Sequence, residues 1–228
     1  MGLRSMIQID WEKVKDILKE LMKFYLGMHK TPITADNWEE LVWATLVFMY
    51  GEEKVDWSPR SHRDIDIILR VDNKDYKIAL KAGTIIRDKG QEVLELSSFR
   101  LTTHEKLENK LKDAYERNNK NDFYLICGRL EETSAIEYRV YRINSKQLFP
   151  SEMLNPNLWQ LDRRGKIWIF TQSQRLGFAR VEIRRKMSDQ LWYKIPVKYQ
   201  GLEELLKVKV NRKDLGKGLI DYLKQRFK

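Results

Sequence analysis

The stretch Asp64–Gly83, "DIDIILRVDNKDYKIALKAG", contains two short extended segments on either side of a turn. Apolar and polar residues alternate in both segments, and "DNKD" between them is rich in turn formers, so the stretch predicts a β-hairpin. Side chains two residues apart lie on the same face of a strand. Asp64 and Asp66 are therefore expected to share one face of the first strand, and Ala79 and Lys81 one face of the second.

The segments around the hairpin predict a chain of mixed helices and strands. Before it, apolar residues recur at helical spacing, with Asp10 as the N-cap of a first helix. A second helix, from about Asp36 to Tyr50 and closed by Gly51, is apolar nearly all round and is therefore expected to be buried. After it come a strand at "EVLELSS", a helix from Glu105 to about Arg117 and a buried strand at "DFYLICGR". Further strands are predicted at "IEYRVYRI", "KIWIF", "FARVEI" and "LWYKIP", with a final helix or two after Gly201.

The composition indicates an anionic partner and a cytoplasmic location. The 228 residues include 43 Lys and Arg against 33 Asp and Glu, and the formal net charge of +10 favours a polyanion. No apolar run approaches the roughly 20 residues that span a bilayer, so no membrane association is expected. The single cysteine, Cys127, lies in an apolar segment, which fits a buried thiol in a reducing compartment.

A carboxylate and an ammonium group at one end of a sheet are the groups that phosphodiester hydrolysis uses. The carboxylate holds Mg²⁺, which lowers the pKa of a bound water, and the lysine orients that water or stabilises the charge on the phosphate. The same residue types also occur at solvated strand edges, so the spacing alone leaves both interpretations open.

The order of these elements, together with "DID", a turn and "IALK", resembles the PD-(D/E)xK nuclease superfamily. In that superfamily an acid on one strand is followed on the next by an acid, any residue and a lysine. The segments "SHRDIDI", "LKAG" and "SSFRLTTHEKLENKL" are similar to segments of its type II restriction endonucleases, and the resemblance covers about Asn37–Arg129.

The resemblance implies an α/β fold with a mixed sheet flanked by helices and with extra C-terminal strands. It implies one nuclease domain, with a helical segment at 1–35, a catalytic core at 36–130 and a DNA-reading or dimerisation part at 131–228. Mg²⁺ is the implied cofactor, with Mn²⁺ or Ca²⁺ as substitutes. The implied partners are double-stranded DNA, a second copy of the chain that matches a palindromic site, and a cognate DNA methyltransferase as genetic partner.

The resemblance also gives roles to single residues. Asp66 matches the metal-binding aspartate and Lys81 the catalytic lysine, and the carbonyl of Leu80 is expected to complete the metal shell. Ala79 departs from the pattern, which usually has glutamate or aspartate at this catalytic position.

Three explanations for this alanine are open. It replaces an acid so that the protein binds DNA without cutting it, or it is native and another element supplies the second carboxylate, or the protein is a naturally inactive relative. Glu39 and Glu40 are the predicted alternative metal ligands, because a glutamate in an otherwise apolar helix needs a partner.

Polar segments on both sides of the chain centre are candidates for DNA contacts. In "SSFRLTTH", hydroxyl groups, an arginine and a histidine precede a helix N-terminus, which attracts phosphate. "TQSQR" places Gln and Arg on a loop between strands, and "RRKMSDQLWYK" adds two arginines that can address base edges. The predicted DNA-binding residues are Ser97, Ser98, Arg100, Thr102, Thr103, His104, Gln174, Arg175, Arg184 and Arg185.

The sequence therefore predicts a Mg²⁺-dependent, sequence-specific double-strand DNA endonuclease of the type II restriction class, impaired if the alanine replaces an essential acid. The alternatives are a structure-selective nuclease of repair or recombination, a DNA-binding module without chemistry, and a basic globular protein without a nucleic-acid role, which would show no salt-sensitive DNA binding. Discrete plasmid fragments distinguish the first from the second, and metal-independent binding without nicking indicates the third.

Overall fold

The structure is a computed structural model that describes residues 9–57, 64–101, 106–185 and 189–226. Within these ranges the chain forms a mixed α/β fold in which one large mixed sheet is flanked by helices, as the sequence predicts. The helices are α1 (Trp11–Met28), α2 (Ala35–Tyr50), α3 (Leu107–Asn118), α4 (Ser145–Leu148) and α5 (Lys217–Arg226). The strands are β1 (Val55–Trp57), β2 (Ile67–Val71), β3 (Lys74–Asp88), β4 (Gln91–Arg100), β5 (Phe123–Glu131), β6 (Ala135–Asn144), β7 (Trp159–Leu161), β8 (Ile167–Phe170), β9 (Arg180–Arg185), β10 (Asp189–Pro196) and β11 (Leu202–Asn211).

The two N-terminal helices begin and end close to the predicted positions. Asp10 caps α1, and its carboxylate accepts a hydrogen bond of 3.1 Å from the backbone N–H of Lys13. Thr34 caps α2, which ends at Gly51 with a φ of +92° that glycine adopts readily. The prediction that α2 is buried nearly all round is wrong, because Phe48 is 75% exposed. No helix in the described part of the chain is both long and apolar enough to cross a membrane.

The predicted hairpin is confirmed as the antiparallel pair of β2 and β3, in which Ile67 lies opposite Ile78. Its turn residues, Asp72 and Asn73, have φ values of +52° and +59°. Positive φ at both positions is what a two-residue type I′ turn requires, and Asn and Asp accept it more easily than most residues. The turn therefore fixes the register that the side-chain alternation predicts.

β2 and β4 pair with the same edge of β3, one after the other. β2 pairs with residues 74–78 and β4 with residues 84–88, while β5 runs parallel along the opposite edge from Ile78 to Thr84. Between β2 and β4, residues 79–83 have no strand partner on this edge within the described ranges. We call this gap the fork. β3 is longer than predicted because its pairing with β4 carries it beyond Gly83.

The sheet separates two hydrophobic cores. Over the described residues it has eleven strands, in the order β11-β6-β5-β3-β4-β10-β9-β8-β7, with β2 attached to β3 and β1 attached to β2. One core lies under α1 and α2 and includes Ile78 and Leu80, while the other includes Ala79, Tyr124 and Leu111 of α3. Neighbouring residues of β3 thus contribute to opposite faces, as the pleat of a strand requires.

The prediction of only helices after Gly201 is wrong for the first segment. β11 occupies Leu202–Asn211 and pairs antiparallel with β6, and α5 follows it. The segment "EELLK" favours a helix locally, but Leu206 and Val208 are buried in the core under α1. Burial of alternate side chains at the end of the sheet therefore overrides the local helix preference.

Candidate functional site

Asp66 reaches the open edge of β3 from the residues that precede β2. Its backbone N–H donates a hydrogen bond of 3.1 Å to the carbonyl of Ile78, and its Oδ2 accepts one of 2.6 Å from the N–H of Leu80. The side chain thus takes the place that a neighbouring strand occupies elsewhere along β3. This contact fixes the carboxylate inside the fork.

Lys81 and Asp66 form an ion pair at the fork, with Nζ 3.4 Å from Oδ2. Their side chains are 24% and 22% exposed, so the pair is accessible from solvent without being fully solvated. Among the described residues, the hydrogen bonds and ion pairs of this carboxylate all use Oδ2. The structure therefore brings together the aspartate and the lysine that the sequence singles out.

Glu39 on α2 supplies a second carboxylate close to this pair. Burial raises its pKa above the ordinary value of 4.5, and the negative charge of Asp66 raises the pKa further. The Lys81 ammonium and a hydrogen bond from the Trp57 side chain lower the pKa of Glu39, without cancelling the rise. Glu39 is thus within electrostatic reach of both residues of the fork.

Glu40, the other predicted ligand, lies differently. It follows Glu39 in α2 but is exposed, and within the described ranges no contact joins it to Asp66 or Lys81. Successive residues of a helix point about 100° apart, so only one of the two can face the fork.

The carbonyl of Leu80 faces the same edge. In an extended strand the N–H and C=O of one residue point in the same direction, and the N–H of Leu80 points to Asp66. The fork therefore holds the Asp66 carboxylate, the Leu80 carbonyl and the Lys81 ammonium group, and the Glu39 carboxylate is near enough for the charge of Asp66 to raise its pKa. Among the described residues, no three or more His, Cys, Asp or Glu side chains gather in one place.

Ala79 is 1% exposed and packs in the core on the α3 side of the sheet. It lies opposite Tyr124 of β5, which is also fully buried. A glutamate at this position would have to leave the apolar core for the fork in order to remain charged, because burial of an unpaired carboxylate is costly.

The expected shared face of Asp64 and Asp66 is not present. Both residues precede β2, which begins only at Ile67, so strand alternation does not apply to them. Asp64 has a φ of +80° and an 8% exposed carboxylate, which accepts hydrogen bonds of 2.6 and 2.8 Å from Arg117. Lys120 lies 3.6 Å from its other oxygen. Asp64 is therefore held by α3 and the residues after it rather than by Lys81.

Arg117 is a residue that the sequence interpretation misses. Besides Asp64, it donates a hydrogen bond of 2.8 Å to the carbonyl of Arg100, and its guanidinium lies 4.9 Å from the ring centre of Phe99. Burial lowers the pKa of Arg117, and the hydrogen bonds and charges of Asp64 and Asp113 together outweigh this effect and raise the pKa overall. One side chain thus ties the segment before Asp66 to the end of β4. No signal in the sequence points to this contact, because helical spacing relates only residues within one helix and Asp64 lies 53 residues before Arg117.

The segment predicted to precede α3 is partly a strand. Ser97, Ser98 and Arg100 belong to β4, because pairing with β10 extends this strand to Arg100. The Ser98 hydroxyl is buried, and it has no hydrogen-bond partner among the described residues, whereas Arg100 is exposed. Thr102, Thr103 and His104 lie outside the described residues.

The predicted loop with Gln174 and Arg175 is confirmed as a connection between β8 and β9, and both side chains are exposed. Gln174 lines a cavity together with Asp88 at the far end of β3. At about 3.3 Å per residue, that end is about 23 Å from Lys81. The structure therefore does not bring this loop to the fork.

Arg184 lies on β9 and is held by other protein groups. Its guanidinium pairs with Glu95 at 2.5 Å and with Glu182, and it stacks on Trp192 at 4.1 Å from the ring centre. These contacts engage Nε and Nη2 of the guanidinium and so leave fewer donors for direct base contacts. Arg185 follows on the same strand, and its side chain is not among those described.

Comparisons of the chain with models of protein families, with curated proteins and with solved structures found no match.

Proposed function

We propose that this protein is a Mg²⁺-dependent endonuclease that hydrolyses phosphodiester bonds in double-stranded DNA. The observation that carries the proposal is the pairing of Asp66 with Lys81 on the unpaired edge of β3, with Glu39 of α2 within electrostatic reach of both. They come from a helix, a loop and a strand that are separate in sequence. A surface edge without a function has little reason to bring two carboxylates within electrostatic reach of each other, because their mutual repulsion raises the free energy of the folded state.

The residues of the fork fit a magnesium ion. Mg²⁺ prefers oxygen ligands, and the carboxylates of Asp66 and Glu39 with the carbonyl of Leu80 are all oxygen donors. The raised pKa of Glu39, caused by burial and by the Asp66 charge, supports this assignment, because a bound dication would relieve the repulsion. The ion pair to Lys81 uses Oδ2 of Asp66 and leaves Oδ1 for a ligand role.

In the proposed mechanism each side chain has a separate task. When bound, Mg²⁺ would neutralise charge on the scissile phosphate and lower the pKa of a water molecule. The Leu80 N–H holds the Asp66 carboxylate in place, so this ligand needs no reorganisation. The Lys81 ammonium orients the attacking water and stabilises the negative charge that develops on the phosphate oxygens.

Glu39 accounts for the alanine at position 79. In this proposal Ala79 is native, and Glu39 supplies the second carboxylate from α2. The burial of Ala79 supports this explanation, since the methyl group fills a core position that a charged side chain could not occupy. The site would then have the two acids and the lysine of the PD-(D/E)xK pattern, with the second acid on α2 instead of on β3.

We further propose that the enzyme is a sequence-specific restriction enzyme of type II that acts as a homodimer. Each copy would cut one strand, because a two-fold symmetric protein matches a palindromic duplex. The net charge of +10 supports an encounter with DNA. A cognate methyltransferase would protect the same sites in the cell.

Plasmid cleavage with Mg²⁺, Mn²⁺ and Ca²⁺ tests the proposal. The parent protein should produce discrete fragments with Mg²⁺, and Lys81→Ala and Glu39→Gln should each lose at least about 100-fold in rate. Glu40→Gln is the matched control, since the same change one residue later lies outside the fork. Full activity of Glu39→Gln would remove Glu39 from the site. A continuous smear would favour a structure-selective nuclease, and salt-sensitive binding without cleavage would favour a DNA-binding module.

A further inference from the structure

A cavity of about 340 Å³ opens on the α2 side of the sheet beside the fork. Its walls come from five strands and from the residues that precede α2. Ligand pockets start at roughly 300 Å³, so the cavity has room for a small planar group. The lining residues that matter here are Thr34, Ala82, Thr84, Glu95, Arg129 and Trp192.

The cavity is adjacent to the proposed reaction site. Ala82 follows Lys81 directly in β3, and consecutive Cα atoms are about 3.8 Å apart. Thr34 caps the helix that carries Glu39 a little more than one turn later. A group inside the cavity would therefore approach from the α2 side the same stretch of β3 whose edge forms the fork, since the side chains of Ala82 and Lys81 lie on opposite faces of the strand.

Trp192 gives the cavity a stacking surface. The guanidinium of Arg184 lies 4.1 Å from the centre of its ring. Two carboxylates hold this guanidinium in place, that of Glu95 on β4 at 2.5 Å and that of Glu182, two residues before Arg184 on β9. An indole fixed in this way loses little conformational freedom when a second planar group stacks on it. Every base has a π-face, so an aromatic side chain of this kind suits a nucleobase.

Polar groups of both kinds line the same space. Arg129 is a donor, and its Nε is buried without a hydrogen-bond partner among the described residues, while one terminal nitrogen pairs with Glu131 at 3.1 Å. The Glu95 carboxylate is a hydrogen-bond acceptor, and its negative charge disfavours a phosphate in the cavity. The hydroxyl of the exposed Thr84 can donate or accept a hydrogen bond. The edge of a nucleobase offers the same mixture of donors and acceptors.

We infer that this cavity accepts one nucleobase that leaves the DNA stack beside the cleaved phosphate. The inference rests on the proposed nuclease function and specifies how the same site engages its substrate. Extruding a base costs the stacking and pairing that it had in the duplex. Stacking on Trp192 and hydrogen bonds to Arg129 and Glu95 offset this cost.

Ala82 keeps the entrance open. Its side chain is exposed on the cavity wall, so a larger residue would fill the space without removing Trp192 or a polar group. Ala82→Leu therefore blocks the cavity, and Ala82→Ser is the matched control that leaves it open. Trp192→Leu removes the stacking surface by a different route.

The test compares two labelled duplexes of the same sequence in Ca²⁺, one fully paired and one with a single unpaired 2-aminopurine nucleotide. An unpaired base is extruded at lower cost, so the parent protein should bind the second duplex about tenfold more tightly. Stacking on Trp192 should also quench the 2-aminopurine fluorescence. Ala82→Leu and Trp192→Leu should lose both effects while they keep affinity for the paired duplex, and Ala82→Ser should keep both.

The outcomes separate the cavity from the nuclease function. Equal affinity of the parent for both duplexes, or an unchanged preference in Ala82→Leu and Trp192→Leu, overturns the inference. Plasmid cleavage by the parent without the preference means that only the base pocket is wrong. The preference without cleavage means that the nuclease proposal fails and the pocket stands, and absence of any DNA binding overturns both. Lys81→Ala should lose cleavage and keep the preference.

Discussion

The Asp66 carboxylate accepts a hydrogen bond of 2.6 Å from the backbone N–H of Leu80, the residue before the lysine of the fork. A side chain that belongs to the loop before β2 is thereby attached to the middle of β3. The contact gives Asp66 two tasks, to satisfy a backbone donor on an unpaired edge and to hold negative charge at a fixed place. Different substitutions separate these two tasks.

Asp66→Asn and Asp66→Ala should differ in stability but not in activity. Asparagine keeps an oxygen that accepts from Leu80 but loses the charge, so cleavage should fall with little change in the free energy of unfolding. Alanine leaves the N–H unpaired, which costs about 1–3 kcal/mol. Urea denaturation and plasmid cleavage check this pair of variants. Equal stability of the two variants would contradict the hydrogen-bonding role.

Glu39 should make the folded protein less stable as the pH rises. A carboxyl group with a raised pKa in the folded state favours folding while it is protonated, and this contribution is lost as the pH rises through the folded-state pKa. Glu39→Gln should therefore have a higher Tm than the parent at pH 7, and the difference should disappear below pH ~4. Mg²⁺ should raise the Tm of the parent but not that of the variant. A lower Tm of Glu39→Gln at pH 7 would contradict the electrostatic repulsion from Asp66.

As the pH is lowered, the rate of DNA cleavage should begin to fall at a higher pH than it would if Glu39 had the ordinary pKa of a glutamate. Metal binding needs Glu39 ionised, and burial together with the charge of Asp66 raises its pKa. The measurement is the pH dependence of the cleavage rate at two Mg²⁺ concentrations. More Mg²⁺ should move the acid limb to lower pH, since the ion competes with the proton for the carboxylate. An acid limb that is independent of Mg²⁺ would argue against Glu39 as a ligand.

Arg117→Ala should destabilise the protein by about 3–5 kcal/mol, because it leaves the buried carboxylate of Asp64 without its main partner. Lys120→Ala is the control. It removes a more exposed partner of the same carboxylate at 3.6 Å and should cost about 0–1 kcal/mol. Denaturant unfolding of both variants gives the comparison. Similar decreases in the free energy of unfolding would show that the ion pair of Asp64 with Arg117 stabilises the protein no more than the one with Lys120.

Cys127 should react with thiol reagents only after unfolding. The thiol is buried, and burial raises its pKa to about 12, so almost no thiolate is present at pH 8. The colour reaction with a disulfide reagent should be slow in buffer and complete in denaturant. Rapid reaction of the folded protein would show that the strand around Cys127 opens readily.

Local patterns predicted much of the fold and part of the site. Side-chain alternation and the turn at Asp72 and Asn73 predicted the hairpin, and the N-cap Asp10 with the helical spacing of apolar residues predicted the first helix, whereas the N-cap Thr34 of α2 was missed. Alternation failed for Asp64, because nothing in the sequence shows that β2 begins only at Ile67. The choice between Glu39 and Glu40 was also out of reach, since a helix that is apolar on most sides does not reveal which side faces the sheet.

Contacts between distant segments were beyond prediction for a related reason. Arg117 and Asp64 meet only because α3 packs against the same face of the sheet, and no spacing rule encodes such a pair. Arg184 looked free to read DNA because neighbouring residues in the chain are basic, whereas its partner Glu95 lies on β4. Which charges are engaged depends on strand order, and strand order is a property of the whole sheet.

The order of the strands also determines how the chain can be divided. β10 covers the edge of β4 and β11 covers the edge of β6, although both are synthesised long after the strands that they protect. A fragment that ends near residue 130 would expose the β4 edge and also lose β6, the partner of β5. Unpaired strand edges of this kind recruit other chains, so the predicted core 36–130 should aggregate when it is expressed alone. During translation, β4 must likewise remain unpaired on one side until the ribosome has released β10.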